Sequence, residues 1–380
     1  MGGSSSKTKV KSSVSTVYGG LDRFQHIAYD GTQDNCIVGG RNAGWQRLVT
    51  TRHDTSRLHH LDGIIVGSFQ MGTRALCCDD DAIYATTHNS PAIARRISSS
   101  GVWTRQWAQE ELFRPSALAV RPSDGLLLVA DPCKICIFGV SRDTGHVREI
   151  AGIGRAEHVD GVGAAAGFVY PCGLCCDARG NAYIADYGDS VHGVCVRHMT
   201  PDGLVSTVVG TSHIDPVGAL FAHRGVARET ADLYQLGAIC VDGERGTIYV
   251  ARGQCVFELV PLQAHMVVAA LAMDARLNRW PTDVLALIVS YSPTPIASVR
   301  IVVGDPSRSR PAPFADITSM AFVPSRHAPA RHETLAGHPM DITAKQKAER
   351  EAQSDSDKTP SRAPALYVCA GGRILCIALA

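Results

Sequence analysis

The chain has 380 residues, 45% of them hydrophobic and 19% charged, enough to bury a large core as one closed β unit or as two or three smaller domains. Its 37 Lys and Arg nearly balance 36 Asp and Glu, so no strong overall field draws in nucleic acid or an acidic partner, and only a local patch could do so. No stretch is apolar for long enough to span a bilayer; the best, Met266 to Met273, is eight residues.

The first thirteen residues, Met1 to Ser13, are polar and lack the apolar core of a secretory signal. They read as a flexible arm ahead of one domain over residues 14–380. The 13 cysteines are therefore expected reduced, in a cytoplasmic chain, where free Cys acts as a small buried hydrophobe. Gly2 followed by Ser6 fits the N-myristoylation pattern, and Lys7, Lys9 and Lys11 would add electrostatic attraction. Peripheral membrane contact through the N-terminus is the matching expectation.

Beyond the arm a unit recurs: a small-residue strand, a polar turn, a second strand, a third, and a fourth ending in Gly. Copies begin near Phe24, Gly72, Pro115, Pro171, Leu236 and Ile317, the clearest running from Pro171 to Thr211. Fourth strands are predicted at Val14–Gly19, Leu61–Gly67, Val102–Ala108, Val147–Gly152, Val205–Gly210 and Val299–Gly304. The first precedes any unit of its own, while the last unit ends at Ala380 after three strands. The N-terminal strand should therefore complete the last unit.

Stacked copies give columns of small residues. The first-strand column reads Ala28, Cys77, Ala119, Cys175, Cys240 and Ala321; the second-strand column reads Gly39, Ala85, Ala130, Ala185, Ala251 and Cys369. Strand side chains alternate faces, so such columns mean close packing at the same point in every copy, as wedge-shaped sheets around an axis require. The expectation is an all-β, six-bladed β-propeller with its N-terminal strand closing the last blade. Two insertions interrupt it. Residues 263–297 contain a short amphipathic helix over Pro281 to Tyr291. Residues 325–364 are polar and without apolar period, and are expected to be disordered.

From Ala151 to Asp189 the chain resembles the NHL-repeat propeller family. Asp160, Gly161, Gly163, Ala165 and Phe168 stand at the family's loop positions, and Asn181, Tyr183, Ala185 and Asp186 at those of its second strand. The family's basic third strand is largely absent. The resemblance implies a non-enzymatic scaffold that binds protein or peptide through propeller-face loops, with RNA as an alternative partner and the chain as a monomer. Some propeller relatives are enzymes, including calcium-dependent lactonases of the gluconolactonase type. Fold alone does not choose between these.

A calcium site would need oxygens converging on the axis. The position after the second-strand column reads Gly40, Thr86, Asp131, Asp186, Arg252 and Ala370. Two carboxylates fall short of the six to eight oxygens calcium takes, so Asp131, Asp186 and Arg252 form at most an axial or loop site, with turn chemistry as the simpler role. Cys133, Cys136, Cys172, Cys175 and Cys176 could suggest zinc, but they fall at packing positions on different strands. No cofactor is indicated. The inserted helix faintly resembles the opening of an F-box through Trp280, Pro281, Asp283, Val284, Leu285 and Ile288, which would make the chain a ubiquitin-ligase substrate adaptor.

Overall fold

The computed structural model describes residues 14–18, 24–30, 35–40, 44–49, 57–60, 73–87, 90–108, 111–188, 194–209, 238–243, 245–252, 255–261, 296–303, 317–324, 364–370 and 373–379. Apart from one short 3₁₀ turn at Gly163–Ala165, the regular structure there is β-strand. Strand β1 (Val14–Tyr18) comes first. One sheet follows from β2 (Phe24–Asp30), β3 (Asn35–Gly40), β4 (Gly44–Val49) and β5 (Arg57–His60). The next comprises β6 (Thr73–Cys78), β7 (Ala82–Thr87), β8 (Ile93–Ile97) and β9 (Trp103–Ala108). The third is β10 (Ala117–Val120), β11 (Leu127–Asp131), β12 (Cys136–Val140) and β13 (Val147–Ala151).

In the fourth sheet the short β14 (Gly161–Val162) adds to the outer edge of β15 (Pro171–Cys176), β16 (Ala182–Tyr187), β17 (Val194–Met199) and β18 (Leu204–Val209). The fifth holds β19 (Ile239–Val241), β20 (Ile248–Arg252), β21 (Cys255–Pro261) and β22 (Ile296–Val303). These five sheets are each built from consecutive strands. The remaining one joins β23 (Ile317–Val323), β24 (Ala365–Ala370) and β25 (Arg373–Ala378) to β1, which lies antiparallel to β25 with Val14 opposite Ile377.

Hydrophobic clusters join each sheet to the next. Ile37 packs with Leu76 and Ile83, Tyr84 with Leu118 and Phe138, and Ala130 with Phe168 and Ile184. Tyr183 packs with Val250 and Phe257, and Tyr249 with Leu366 and Leu375. Tyr367 and Val323 then pack with Ile27 and Val38, returning from the last sheet to the first. The backbone N–H of Ile27 also donates to Ser319 Oγ at 3.1 Å across that final junction. Sheets that each touch two neighbours around a common centre make this an all-β propeller. The burial pattern follows: β11 and β12 are buried along their whole length because both faces meet other sheets, while the outer β13 leaves Arg148 and Glu149 to solvent.

Register tests the small-residue columns. Cys77, Cys175, Cys240 and Ala321 stand directly opposite Tyr84, Tyr183, Tyr249 and Tyr367, small against large on each sheet. Cys77, Cys175 and Cys240 belong to three different clusters, which fits packing. One column member is corrected. Two residues beyond Tyr183 lies Ala185, so two beyond Tyr84 lies Thr86, not Ala85; the position after it is Thr87. A second correction concerns the first sheet, whose fourth strand is Arg57–His60, paired with β4, ahead of the predicted Leu61–Gly67. The outermost strand of a blade covers nothing beyond it, so an apolar run is not needed there.

Candidate functional site

The carboxylates at the ends of β11 and β16 perform the same backbone task. Asp131 and Asp186 are both fully buried. Asp131 Oδ2 accepts the N–H groups of Phe113 and Arg114, each at 2.7 Å. Asp186 Oδ1 accepts those of Tyr170 at 2.7 Å and Val169 at 3.1 Å. In each case the donors are the two residues ahead of a proline, Pro115 or Pro171, which offers no N–H of its own. The carboxylate thus satisfies the loop entering its sheet, where unpaired buried N–H groups would be costly. Asp131 Oδ1 additionally accepts from Cys133 and Lys134 at 3.1 and 3.2 Å, which shapes the turn into β12.

Around Asp186 the surroundings differ. Its second oxygen lies 3.1 Å from His158 Nε2 and 3.6 Å from Arg197 Nη1. Cys195, the cross-strand partner of Asp186, places Sγ 3.4 Å from the same His158 nitrogen. Among the described residues, His158, Asp186 and Cys195 form the only group of three His, Cys or acidic side chains whose donor atoms all lie within 4.8 Å. His158 comes from the connection between β13 and β15, which folds back over the sheet. Gly167 on that connection approaches so closely that a Cβ would stand 2.5 Å from Glu157 O. Gly152 at its start has φ 136 and no room beside Cys136 Sγ, 2.7 Å from where a Cβ would sit.

Arg197 holds the connection down. Completely buried on β17, it donates to Gly167 O at 2.6 Å, Val159 O at 2.8 Å and Asp160 Oδ1 at 3.0 Å. Its guanidinium also lies over the buried Phe168 ring, 5.3 Å from the centroid. Asp160 is bound as well by Thr207 Oγ1 at 2.9 Å. Asp160 and Phe168 of that connection are thereby both partners of one buried arginine. In the third sheet the residue corresponding to Arg197 is Phe138, two beyond Cys136 as Arg197 is two beyond Cys195.

The arrangement does not make Cys195 a nucleophile. An activated thiol needs its base oriented by a third group at the far ring nitrogen, whereas Cys195 and Asp186 both address Nε2 of His158. Burial, and then the Asp186 charge, push the Cys195 thiol well above its ordinary range, away from the reactive thiolate. Burial also raises the thiols of Cys77 and Cys175, raises that of Cys136 to about 11, and raises the Tyr84 phenol. Folding favours these neutral forms, so their contribution to stability is complete below the ordinary thiol value of 9.0 and is lost as pH rises through the folded values. Thermal melts should stay level up to about pH 9 and fall steeply by about pH 11, and Cys136→Ala should soften that fall.

The predicted site residues part company. Asp131 and Asp186 sit at equivalent places on neighbouring sheets, each engaged by its own loop, and only Asp186 belongs to the three-residue group. Arg252 ends β20 opposite Cys255. Gly2, and Trp280, Pro281, Asp283, Val284, Leu285 and Ile288, lie outside the described residues, as does most of 325–364. Sequence reasoning missed His158, Cys195 and Arg197. The available signal was an arginine within the otherwise apolar start of VCVRHM, which no exposed strand position requires.

No family model matches the chain, and no curated protein matches it. Solved structures do. A gluconolactonase from Xanthomonas campestris is 12% identical, with a TM-score of 0.51 over 97% of this chain and 90% of its own. A streptogramin B lyase is 9% identical, with a TM-score of 0.50 over 97% of this chain and 98% of its own. A protein of unknown function from Bacteroides thetaiotaomicron is 22% identical, with a TM-score of 0.45 over 59% of this chain and 55% of its own, so this chain spans about half its length. At such identities the first two likenesses speak for the β-propeller fold alone.

Proposed function

We propose that this chain is a six-bladed, NHL-like propeller closed by β1, and that it works as a non-enzymatic scaffold binding a protein or peptide. The binding surface is the end of the sheets where first strands begin and second strands end. One observation carries the reading: on that end the buried carboxylate of Asp131 serves to fix a loop that presents an aromatic ring. Leu112 is buried between sheets, while Phe113 beside it is 64% exposed with its N–H bound to Asp131. A single exposed Phe is ordinary on a surface, but one on a backbone held by a buried carboxylate loses little freedom on binding. Aromatic anchors of this kind dominate protein interfaces. Near-zero net charge favours a protein partner over RNA.

The competing reading is a calcium-dependent hydrolase, raised by the likeness to the Xanthomonas gluconolactonase. It needs both Asp131 and Asp186 as calcium ligands, and both oxygens of Asp131 already accept backbone N–H groups, as does Asp186 Oδ1.

Photo-crosslinking tests the scaffold reading. Benzoyl-phenylalanine is placed at 113 or at 102 in the full chain, expressed in the cells it comes from. Val102 is 59% exposed but lies beside the β8–β9 turn, at the opposite end of the sheets. A discrete protein adduct is expected at 113 and not at 102. Adducts at neither position, or equally at both, would count against this surface.

A further inference from the structure

We infer that His158, Asp186 and Cys195 form a site for one late first-row divalent cation of the zinc class, which fastens the β13–β15 connection to the fourth sheet. The three donors come from three elements: the connection, β16 and β17. Two of their three spacings are close to those of a ligand set. With zinc bonds of about 2.0–2.3 Å in a tetrahedron, ligand atoms stand about 3.3–3.6 Å apart. Here Nε2 is 3.1 Å from Asp186 Oδ2 and 3.4 Å from Cys195 Sγ. The third pair, Asp186 Oδ2 and Cys195 Sγ, lies within 4.8 Å.

Without a metal, a protonated His158 Nε2 donates to the carboxylate and the thiol sulfur; deprotonated, it turns its lone pair toward the same point. A cation at the common point faces one lone pair from each of nitrogen, oxygen and sulfur. Binding releases the Cys195 proton to solvent, leaving a thiolate as ligand.

The outer contacts suit the role. Asp186 is oriented by the Tyr170 N–H on its other oxygen and by the Val169 N–H shared between both oxygens, the kind of support that fixes ligating carboxylates. The thiolate and carboxylate neutralise a divalent ion. Arg197, 3.6 Å from Asp186, shares its charge among Asp186, Asp160 and two carbonyls. His158 keeps 18% of its side chain exposed, which leaves an approach for the ion and a position for a water as fourth ligand. One sulfur, one nitrogen and one carboxylate oxygen favour zinc over calcium or magnesium.

The test uses the full chain, stripped with chelator and titrated with zinc chloride, then with cobalt(II) as a spectroscopic probe. A single tightly held equivalent is expected, with a thiolate-to-cobalt charge-transfer band. Cys195→Ser should abolish the band. His158→Gln should weaken zinc binding by more than the roughly 10- to 100-fold that outer-shell changes cost. Cys133→Ala, at an exposed thiol, should leave both unchanged. Circular dichroism confirms the fold of each variant, and His158→Gln, on a partly exposed loop residue, decides the matter if Cys195→Ser does not fold. No saturable binding in the unsubstituted chain, or an equivalent that survives either substitution, overturns the site.

Discussion

Deleting residues 1–20 should lower the melting temperature by about 5 °C and drive self-association on gel filtration. The deletion removes β1, which pairs with Val14 opposite Ile377, Ser15 opposite Cys376, Thr16 opposite Leu375 and Tyr18 opposite Ile374. Roughly one hydrogen bond per pair, at about 1 kcal/mol net each, amounts to about 4 kcal/mol. A domain of this size shifts by only about 1 °C for each kcal/mol, because its unfolding entropy grows with length. The larger consequence is the edge left behind. β25 would present unpaired N–H and C=O groups along its length, and an exposed edge recruits another chain. A truncated chain that keeps both its melting temperature and its monomeric state would mean that β1 does not close the ring.

Arg197→Met should cost about 3–5 kcal/mol, the scale for breaking a buried charged pair. Three acceptors, Gly167 O, Val159 O and Asp160 Oδ1, lose their donor, and the fully buried Asp186 loses the cation 3.6 Å away. The methionine fills most of the volume over Phe168, so the loss is polar and not a cavity. The damage should be local first. Hydrogen exchange should quicken across 153–167 while β11 and β12 stay protected, and proteases should cut the connection before the sheets. Unchanged exchange in that connection would show that Arg197 does not hold it.

The propeller itself was legible because its constraint repeats. Close packing of adjacent sheets needs a small residue opposite a large one, and that pairing recurs as Cys77 with Tyr84, Cys175 with Tyr183 and Cys240 with Tyr249. The Ala85 assignment failed by one residue because Ala85 and Thr86 are both small, and only the pairing of Tyr84 with Cys77 sets the register. Leu61–Gly67 looked like the other fourth strands by composition, yet an outer strand is specified by its hydrogen bonds to β4.

Within the site, Asp131 and Asp186 were legible as positions; Asp131 Oδ1 shapes a local turn, whereas Asp186 takes no local backbone donor among the described residues. Their donors, Phe113 with Arg114 and Val169 with Tyr170, lie 16–18 residues earlier in the chain. Sequence spacing does not disclose such pairings. His158 reaches Cys195 across 37 residues only because the connection folds back under Arg197. Chemistry assembled by a loop lying over a sheet leaves no local periodic signal, unlike the sheet beneath it.

On the proposed scaffold reading, the carboxylates of Asp131 and Asp186 shape loops and hold no catalytic ion. Calorimetric titration of calcium into the full chain, alongside Asp131→Asn and Asp186→Asn, tests it most directly. No saturable calcium binding that depends on either carboxylate is expected. Stoichiometric calcium lost in both variants would contradict the scaffold reading and favour the hydrolase.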